Sequence, residues 1–117
     1  MREIKFRCWH DNRMQRVNYI DFAHEKIDLF ASDTIKFEEG VLMQYTGLKD
    51  KHGNEIYEGD ILITSAFEKK YGIVKWNEKD ASFKIVNVPS TSIIKSNKFY
   101  EVIGNIYENH ELLRGTR

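Results

Sequence analysis

Residues 41–62 constrain the fold more than any other part of this sequence. They read VLMQYTGLKDKHGNEIYEGDIL, two apolar runs on either side of a polar segment that contains a glycine. A polar segment of this kind is typical of the turn between two antiparallel strands. We therefore predict a strand over residues 41–45, a turn over 50–54, and a strand over 56–64 that bends at Gly59.

The same alternation of apolar and polar residues continues on both sides of this block, and it is typical of half-buried strands. Short polar segments separate the alternating runs, as expected for hairpins. Near the end of the chain, Asn109 is placed to cap a helical turn through Leu113. The further strands predicted are residues 4–9, 14–22, 71–76, 82–88 and 100–107.

Residues 20–30 fit two structures. Four apolar residues between Ile20 and Phe30 have helical spacing, whereas residues 27–29 alternate like a strand. The first pattern predicts a short helix, and the second predicts a hairpin that turns near residues 23–26; both stay open, and we favour the hairpin. Residues 31–40 are polar and are expected to form a connector.

Several short strands with glycine bends favour a mainly β fold with a minor α content. We expect an N-terminal hairpin portion followed by a small SH3-like barrel or a coiled antiparallel sheet. The 117 residues are expected to form a single compact domain, with a subdivision into residues 1–40 and 41–117.

Composition excludes several classes of protein. No apolar run approaches the ~20 residues of a membrane span, so no membrane association is expected. The single cysteine, Cys8, has no partner for an internal disulfide, which favours a reducing cytosol and a buried thiol. Eighteen basic and 18 acidic side chains balance, so a dedicated nucleic-acid binder is not favoured.

Three segments, IKFRCW, LMQYTGLKDKHGNEIYEGD and EVIGNIYEN, resemble the YopX family of small phage and prophage proteins. They span nearly the whole chain. The resemblance implies a mainly β protein of mobile-element origin that tends to self-assemble, and it places the protein in the cytosol of a bacterial host. The family supplies no set of catalytic residues to carry over.

Catalytic and metal-binding patterns are weak. The four histidines lie more than four residues apart and there is no cysteine pair, so we expect neither a metal site nor a cofactor. Four carboxylates lie close together in the sequence and are explained either by turn geometry, which we favour, or by a divalent-ion or general-acid site. These are Asp50, Glu55, Glu58 and Asp60. We expect no enzymatic activity.

Two groups of residues are candidate binding sites. Lys5, Arg7 and Trp9 should project from one face of the first strand, where two cations beside an indole could hold a phosphate and stack a base. The alternative is an ordinary strand face with a packed tryptophan. The second group lies where a strand enters a loop, and its alternative role is hydrogen bonding within the turn. It comprises Gln44, Tyr45, Thr46, Lys49 and Asp50.

Three hypotheses about function follow. The first is a non-enzymatic accessory protein that forms a homo-oligomer and acts on a host component, such as a host protein, in counter-defence or regulation. The second is a sponge for a phosphorylated nucleotide signal. The third, a nucleic-acid-binding module, is not favoured by the balanced charge.

Overall fold

The computed structural model describes residues 3–65, 70–86, 91–93 and 100–115. These residues form antiparallel strands and two short 3₁₀ helices, Phe37–Glu39 and His110–Gly115. Neither helix is long enough to cross a membrane, and no other helix occurs in the described ranges. The strands are β1 Phe6–His10, β2 Arg13–Asp21, β3 Lys26–Leu29, β4 Thr34–Lys36, β5 Val41–Lys49, β6 Glu55–Tyr57, β7 Asp60–Ser65, β8 Lys70–Asn77, β9 Ser82–Val86, β10 Thr91–Ile93 and β11 Glu101–Asn105. The mainly β prediction is confirmed.

The chain divides into two compact units, the first ending at Tyr45 and the second beginning at Thr46. In the first unit the strands lie in the order β4-β3-β2-β1-β5, and every neighbouring pair is antiparallel. β1 and β2 are joined by Asp11 and Asn12, whose φ angles of 53° and 59° are those of a type I′ turn. This turn matches the right-handed twist of the two strands.

One face of the first sheet carries the core of this unit. Cys8, Ile27, Leu29 and Ile35 are buried there, and Val17, Phe37 and Leu42 pack against them. Successive side chains of a strand point to opposite faces, so the alternation in the sequence places the strand residues of this group on one side. Phe37 packs against them from the first 3₁₀ helix. The prediction of a buried Cys8 thiol is confirmed, and burial raises its pKa above the ordinary value.

The structure settles the two alternatives for residues 20–30. β3 pairs with β2 across a turn at residues 22–25, so the hairpin is confirmed and the helix is wrong. The connector predicted over residues 31–40 is wrong in part. It contains β4, whose central residue Ile35 is only 5% exposed and joins the core.

In the second unit, five strands form a sheet in the order β10-β9-β8-β7-β11. A buried cluster fills its core: Ile56, Leu62, Val74 and Ile85, with Leu48, Phe83, Tyr100 and Val102 packed against it. Over the residues that the structure describes, the sheet is open between β10 and β11. An antiparallel sheet is therefore present, and the SH3-like barrel is not confirmed.

Two predicted features of the second unit are found close to their expected positions. Gly59 has a φ of 87° and separates β6 from β7, as expected for the bend in residues 56–64. The hairpin of β8 and β9 is also confirmed, although residues 87 and 88 of the predicted second strand lie outside the described residues.

The end of the second unit is close to the prediction. A helical turn is present at His110–Gly115, directly after Asn109. The Asn109 Oδ1 accepts a hydrogen bond from the Asn105 N–H at 3.2 Å. Asn109 approaches so closely that a Cβ on Gly104 would lie 2.5 Å from Oδ1, which explains the glycine.

Candidate binding surface

The predicted face of the first strand exists, but its side chains are engaged. Arg7 and Trp9 alternate with buried Cys8 and therefore lie on the face opposite the core. The Lys5 ammonium is 3.4 Å from the Glu3 carboxylate and 5.3 Å from the centre of the Tyr45 ring. Lys5, Arg7 and Trp9 are half-buried, and all three take part in further interactions. These contacts favour a packed strand face over an open ligand site.

The second group of predicted residues does not converge on one point. Gln44 lies opposite Phe6 in the pairing of β5 with β1, and Tyr45 points to the other face of the strand. In the second unit, the Thr46 hydroxyl donates to the Ile56 carbonyl at 2.8 Å and accepts from the Leu48 N–H at 3.2 Å. Thr46 thus uses its side chain within the turn.

Lys49 is exposed, whereas the neighbouring Asp50 is only 1% exposed. One Asp50 oxygen accepts from the N–H groups of His52 and Asn54, and the other accepts from the Asn54 side chain and the Val102 N–H, at 2.8–3.2 Å. Burial alone would raise the pKa of this carboxyl group, but the hydrogen bonds outweigh burial and lower it. Asp50 therefore holds the β5–β6 turn to β11.

The carboxylates near Asp50 also serve the turn. The Asp60 side chain is buried and accepts from the Tyr57 N–H at 2.7 Å, which closes the turn at Gly59. Glu55 accepts a hydrogen bond from the Tyr57 hydroxyl at 3.4 Å. No group of three potential metal ligands occurs among the described residues. These contacts favour turn geometry over an ion site.

Sequence reasoning did not identify a second surface on the first sheet, which we call the outer face. It consists of Arg16, Tyr19, Lys26, Phe30 and Lys36. Val17, Ile27, Leu29 and Ile35 belong to the core, so the alternating residues beside them point away from it. Tyr19 and Phe30 are 55% and 63% exposed, and the Arg16 guanidinium lies 5.0 Å from the centre of the Phe30 ring.

A β-bulge creates this arrangement. Val17 is opposite Leu29, but Tyr19 is opposite Asp28, so β2 has one extra residue at Asn18. The bulge keeps Val17 in the core and leaves Asn18 and Tyr19 exposed in succession. Strict alternation predicts that they lie on opposite faces. For this reason the outer face was not visible in the sequence pattern.

The acidic residues beside the outer face are already hydrogen-bonded. The Asp28 carboxylate accepts from the Asn18 amide at 3.1 Å and from the Thr34 hydroxyl at 2.8 Å. Asp21 lies 2.8 Å from the His24 imidazole, and this hydrogen bond lowers the pKa of Asp21.

The cations of the outer face lack such partners. Lys26 and Lys36 are directly opposite each other in the pairing of β3 with β4, and like charges in this position repel. Within the described residues, Arg16, Lys26 and Lys36 form no ion pair. The outer face therefore combines three cations and two exposed aromatic rings with two carboxylates, Asp21 directly opposite Lys26 and Asp28 directly opposite Tyr19.

Comparison with known proteins gives the family of the chain. The family model described as YopX protein matches residues 1–114. The chain belongs to the YopX family. The similarity covers almost every described residue, so both units are part of the family pattern and the resemblance of the three sequence segments is confirmed.

A solved structure has the same fold as this YopX protein. The crystal structure of protein EF1440 from Enterococcus faecalis superposes with a TM-score of 0.68 at 29% sequence identity. The match covers 97% of this chain and 99% of that one. No curated protein matches the chain.

Proposed function

We propose that this YopX protein is a non-enzymatic accessory protein of phage or prophage origin that assembles with itself and acts on a component of the bacterial host. The outer face is the proposed contact surface for that component. The observation that carries the proposal is the exposure of Tyr19 and Phe30 beside Arg16 on one face of a sheet. Tyrosine and arginine are over-represented among the residues that dominate binding energy at interfaces.

The energetics of the fold support the same surface. An exposed ring makes only a small hydrophobic contribution to folding, since that contribution scales with the apolar area removed from water. Phe22, at 74% exposure, lies in the turn between β2 and β3 and contacts Phe37 edge-on at 6.1 Å. Because Phe37 packs against the core, Phe22 does not belong to the outer face. Of the exposed large apolar side chains in the described ranges, Tyr19 and Phe30 lie on the outer face.

The nucleotide-sponge hypothesis receives less support from the contacts. It depended on Lys5, Arg7 and Trp9, which are half-buried and engaged, and on the loop that contains Thr46 and Asp50, whose oxygens are used within the turn. The side chains that this hypothesis assigns to a ligand therefore already make contacts within the protein. A host component that contacts the outer face does not compete with these interactions.

Site-specific photo-cross-linking in bacterial cells tests the proposal. A benzophenone amino acid is placed at Phe30 or Tyr19, and at Ile4 as the control, because Ile4 is 60% exposed and lies outside the outer face. We expect discrete adducts from Phe30 and Tyr19 that the additional change Arg16→Glu abolishes. Protease and nuclease sensitivity then gives the chemical class of the adduct.

Equal adducts from Ile4, or no adduct from Phe30 and Tyr19, would refute the outer face as the contact surface. An adduct with the mass of two copies of this chain would show that the face serves self-assembly and not a host component. Self-assembly itself is tested by native mass spectrometry, where a monomer at every protein concentration would contradict it.

A further inference from the structure

The outer face carries its positive charges in two places. Arg16 lies beside Phe30 at one end, and Lys26 and Lys36 lie opposite each other at the other end. Phe30 is four positions after Lys26 along the chain, which corresponds to ~13 Å in an extended strand at about 3.3 Å per residue. A ligand that satisfies both ends must be extended and must carry negative charge at more than one point.

The space between the charged ends is aromatic. Tyr19 and Phe30 are 55% and 63% exposed, and the Asp28 carboxylate opposite Tyr19 keeps its negative charge while it accepts hydrogen bonds from Asn18 and Thr34. Aromatic rings on an open surface stack the bases of single-stranded nucleic acids, and the cations beside them neutralise the phosphates. The guanidinium of Arg16 offers a further flat surface for stacking.

We propose that the outer face binds single-stranded nucleic acid, with bases stacked on Tyr19 and Phe30 and phosphates held by Arg16, Lys26 and Lys36. This inference rests on the proposed function, because it names the chemistry of the component that the outer face contacts. A double helix does not fit, since its bases are stacked on one another and are closed to Tyr19 and Phe30.

An acidic polypeptide fits these observations less well. Lysine is depleted at the centres of protein–protein interfaces, whereas the outer face has two lysines opposite each other. The balanced charge of the whole chain does not oppose a local site, because exposed charges more than about 10 Å apart are largely screened at ordinary salt concentrations. The balanced charge does mean that binding of the nucleic acid is weak and dependent on the salt concentration.

Fluorescence anisotropy with the full chain and a labelled oligothymidylate of about 10 nucleotides tests the inference. Three phosphate contacts predict a slope of about −2 in the logarithm of the association constant against the logarithm of the salt concentration, from ~0.7 per contact on single strands. The double change Lys26→Gln with Lys36→Gln should reduce the slope to about −0.7. Phe30→Ser should weaken binding about tenfold or more through lost stacking.

Two matched controls isolate the outer face. Lys75→Gln with Lys79→Gln removes two exposed lysines of the second unit, and Ile4→Ser removes an exposed apolar side chain. Both controls should bind like the original chain. All substituted side chains are exposed, so the circular dichroism spectrum should stay unchanged. The melting temperature should shift by no more than a few degrees, the effect expected from losing an exposed cation–π pair.

Three results would overturn the inference. They are the absence of binding at about 50 mM salt, an equal loss in the control variants, and equal competition by an oligoglutamate peptide or by duplex DNA. If the oligonucleotide does not bind but cross-linking from Phe30 persists, only this inference fails. If both are absent, the proposed contact surface fails as well.

Discussion

Gly40 is the position where one added methyl group should disturb the core most clearly. A Cβ there would lie 2.5 Å from the Cys8 sulfur, 2.8 Å from Ile35 Cδ1 and 3.4 Å from the Trp9 carbonyl oxygen. Favourable contacts between carbon atoms are about 3.5–4.0 Å, so two side chains must move by roughly 1 Å. Gly40 has a φ of −145°, an extended conformation that alanine also adopts, and the cost is therefore steric.

We expect Gly40→Ala to lower the free energy of unfolding by about 1–3 kcal/mol, the usual cost of overpacking a close-packed core. Cys8→Ala should cost about 1 kcal/mol, because it removes one buried sulfur. Since Cys8→Ala also removes the closest clash, the double variant should lose less stability than the sum of the single variants, by about 1 kcal/mol or more.

Urea unfolding measures this coupling. The chain has two tryptophans, and in a Trp76→Phe background the fluorescence of Trp9 reports on the first unit alone. Gly53→Ala serves as the control, because no atom lies within 4 Å of its Cβ and its cost comes from the φ of 84°. Gly53 lies in the second unit, so its cost is followed by the fluorescence of Trp76 in a Trp9→Phe background. Cys8→Ala should not change that cost. Exact additivity of Gly40→Ala and Cys8→Ala, or a Gly40→Ala cost below about 0.5 kcal/mol, would refute the packing argument.

Two further predictions concern the second unit. Asp50→Asn should destabilise it by about 2–3 kcal/mol, because hydrogen bonds to a charged group contribute about 1.5–3 kcal/mol and an amide nitrogen would meet N–H donors. The pKa of Asp50 is lowered on folding, so its contribution to stability is complete above the unfolded pKa near 4 and is lost as the pH falls through the folded pKa. On acidification, the urea midpoint of Asp50→Asn should therefore fall less than that of the original chain. Parallel curves of urea midpoint against pH for the two proteins would contradict this. Ala81→Gly should raise the melting temperature by relieving a φ of 52° at an exposed turn, a gain of about 0.5–1 kcal/mol, and an unchanged or lower melting temperature would contradict it.

Local patterns were enough to predict most of the strands. The hairpin around residues 50–54 and the β8–β9 hairpin each combine alternation with a polar turn, and both features lie within a few neighbouring residues. β4 was not predicted because a three-residue strand has no measurable period. Only its pairing with β3 shows that Ile35 belongs to the core.

The candidate site depended on long-range relations. Asp50 and Lys49 are adjacent polar residues in the sequence, and nothing local shows that one is exposed and the other holds the Val102 N–H, 52 residues away. Thr46 likewise could face a ligand or a turn until its partner, the Ile56 carbonyl, is known. The residue types alone predicted a ligand-binding loop. The hydrogen-bond partners in the structure show that Thr46 and Asp50 stabilise the turn.

The outer face differs from these residues because the fold does not require its chemistry. Trp76 is 45% exposed, but its ring packs edge-on against Phe83 at 5.0 Å and so contributes to its hairpin. The Phe30 ring, by contrast, is in contact with the Arg16 guanidinium, a pair of which both members face outward. An exposed cation–π pair contributes only about 0.5–1 kcal/mol. The repulsion between Lys26 and Lys36 subtracts from that gain, although Asp21, on the other side of Lys26, offsets part of the repulsion. Stability therefore gives little reason for this combination of residues, and a bound anionic, ring-bearing ligand gives a direct one.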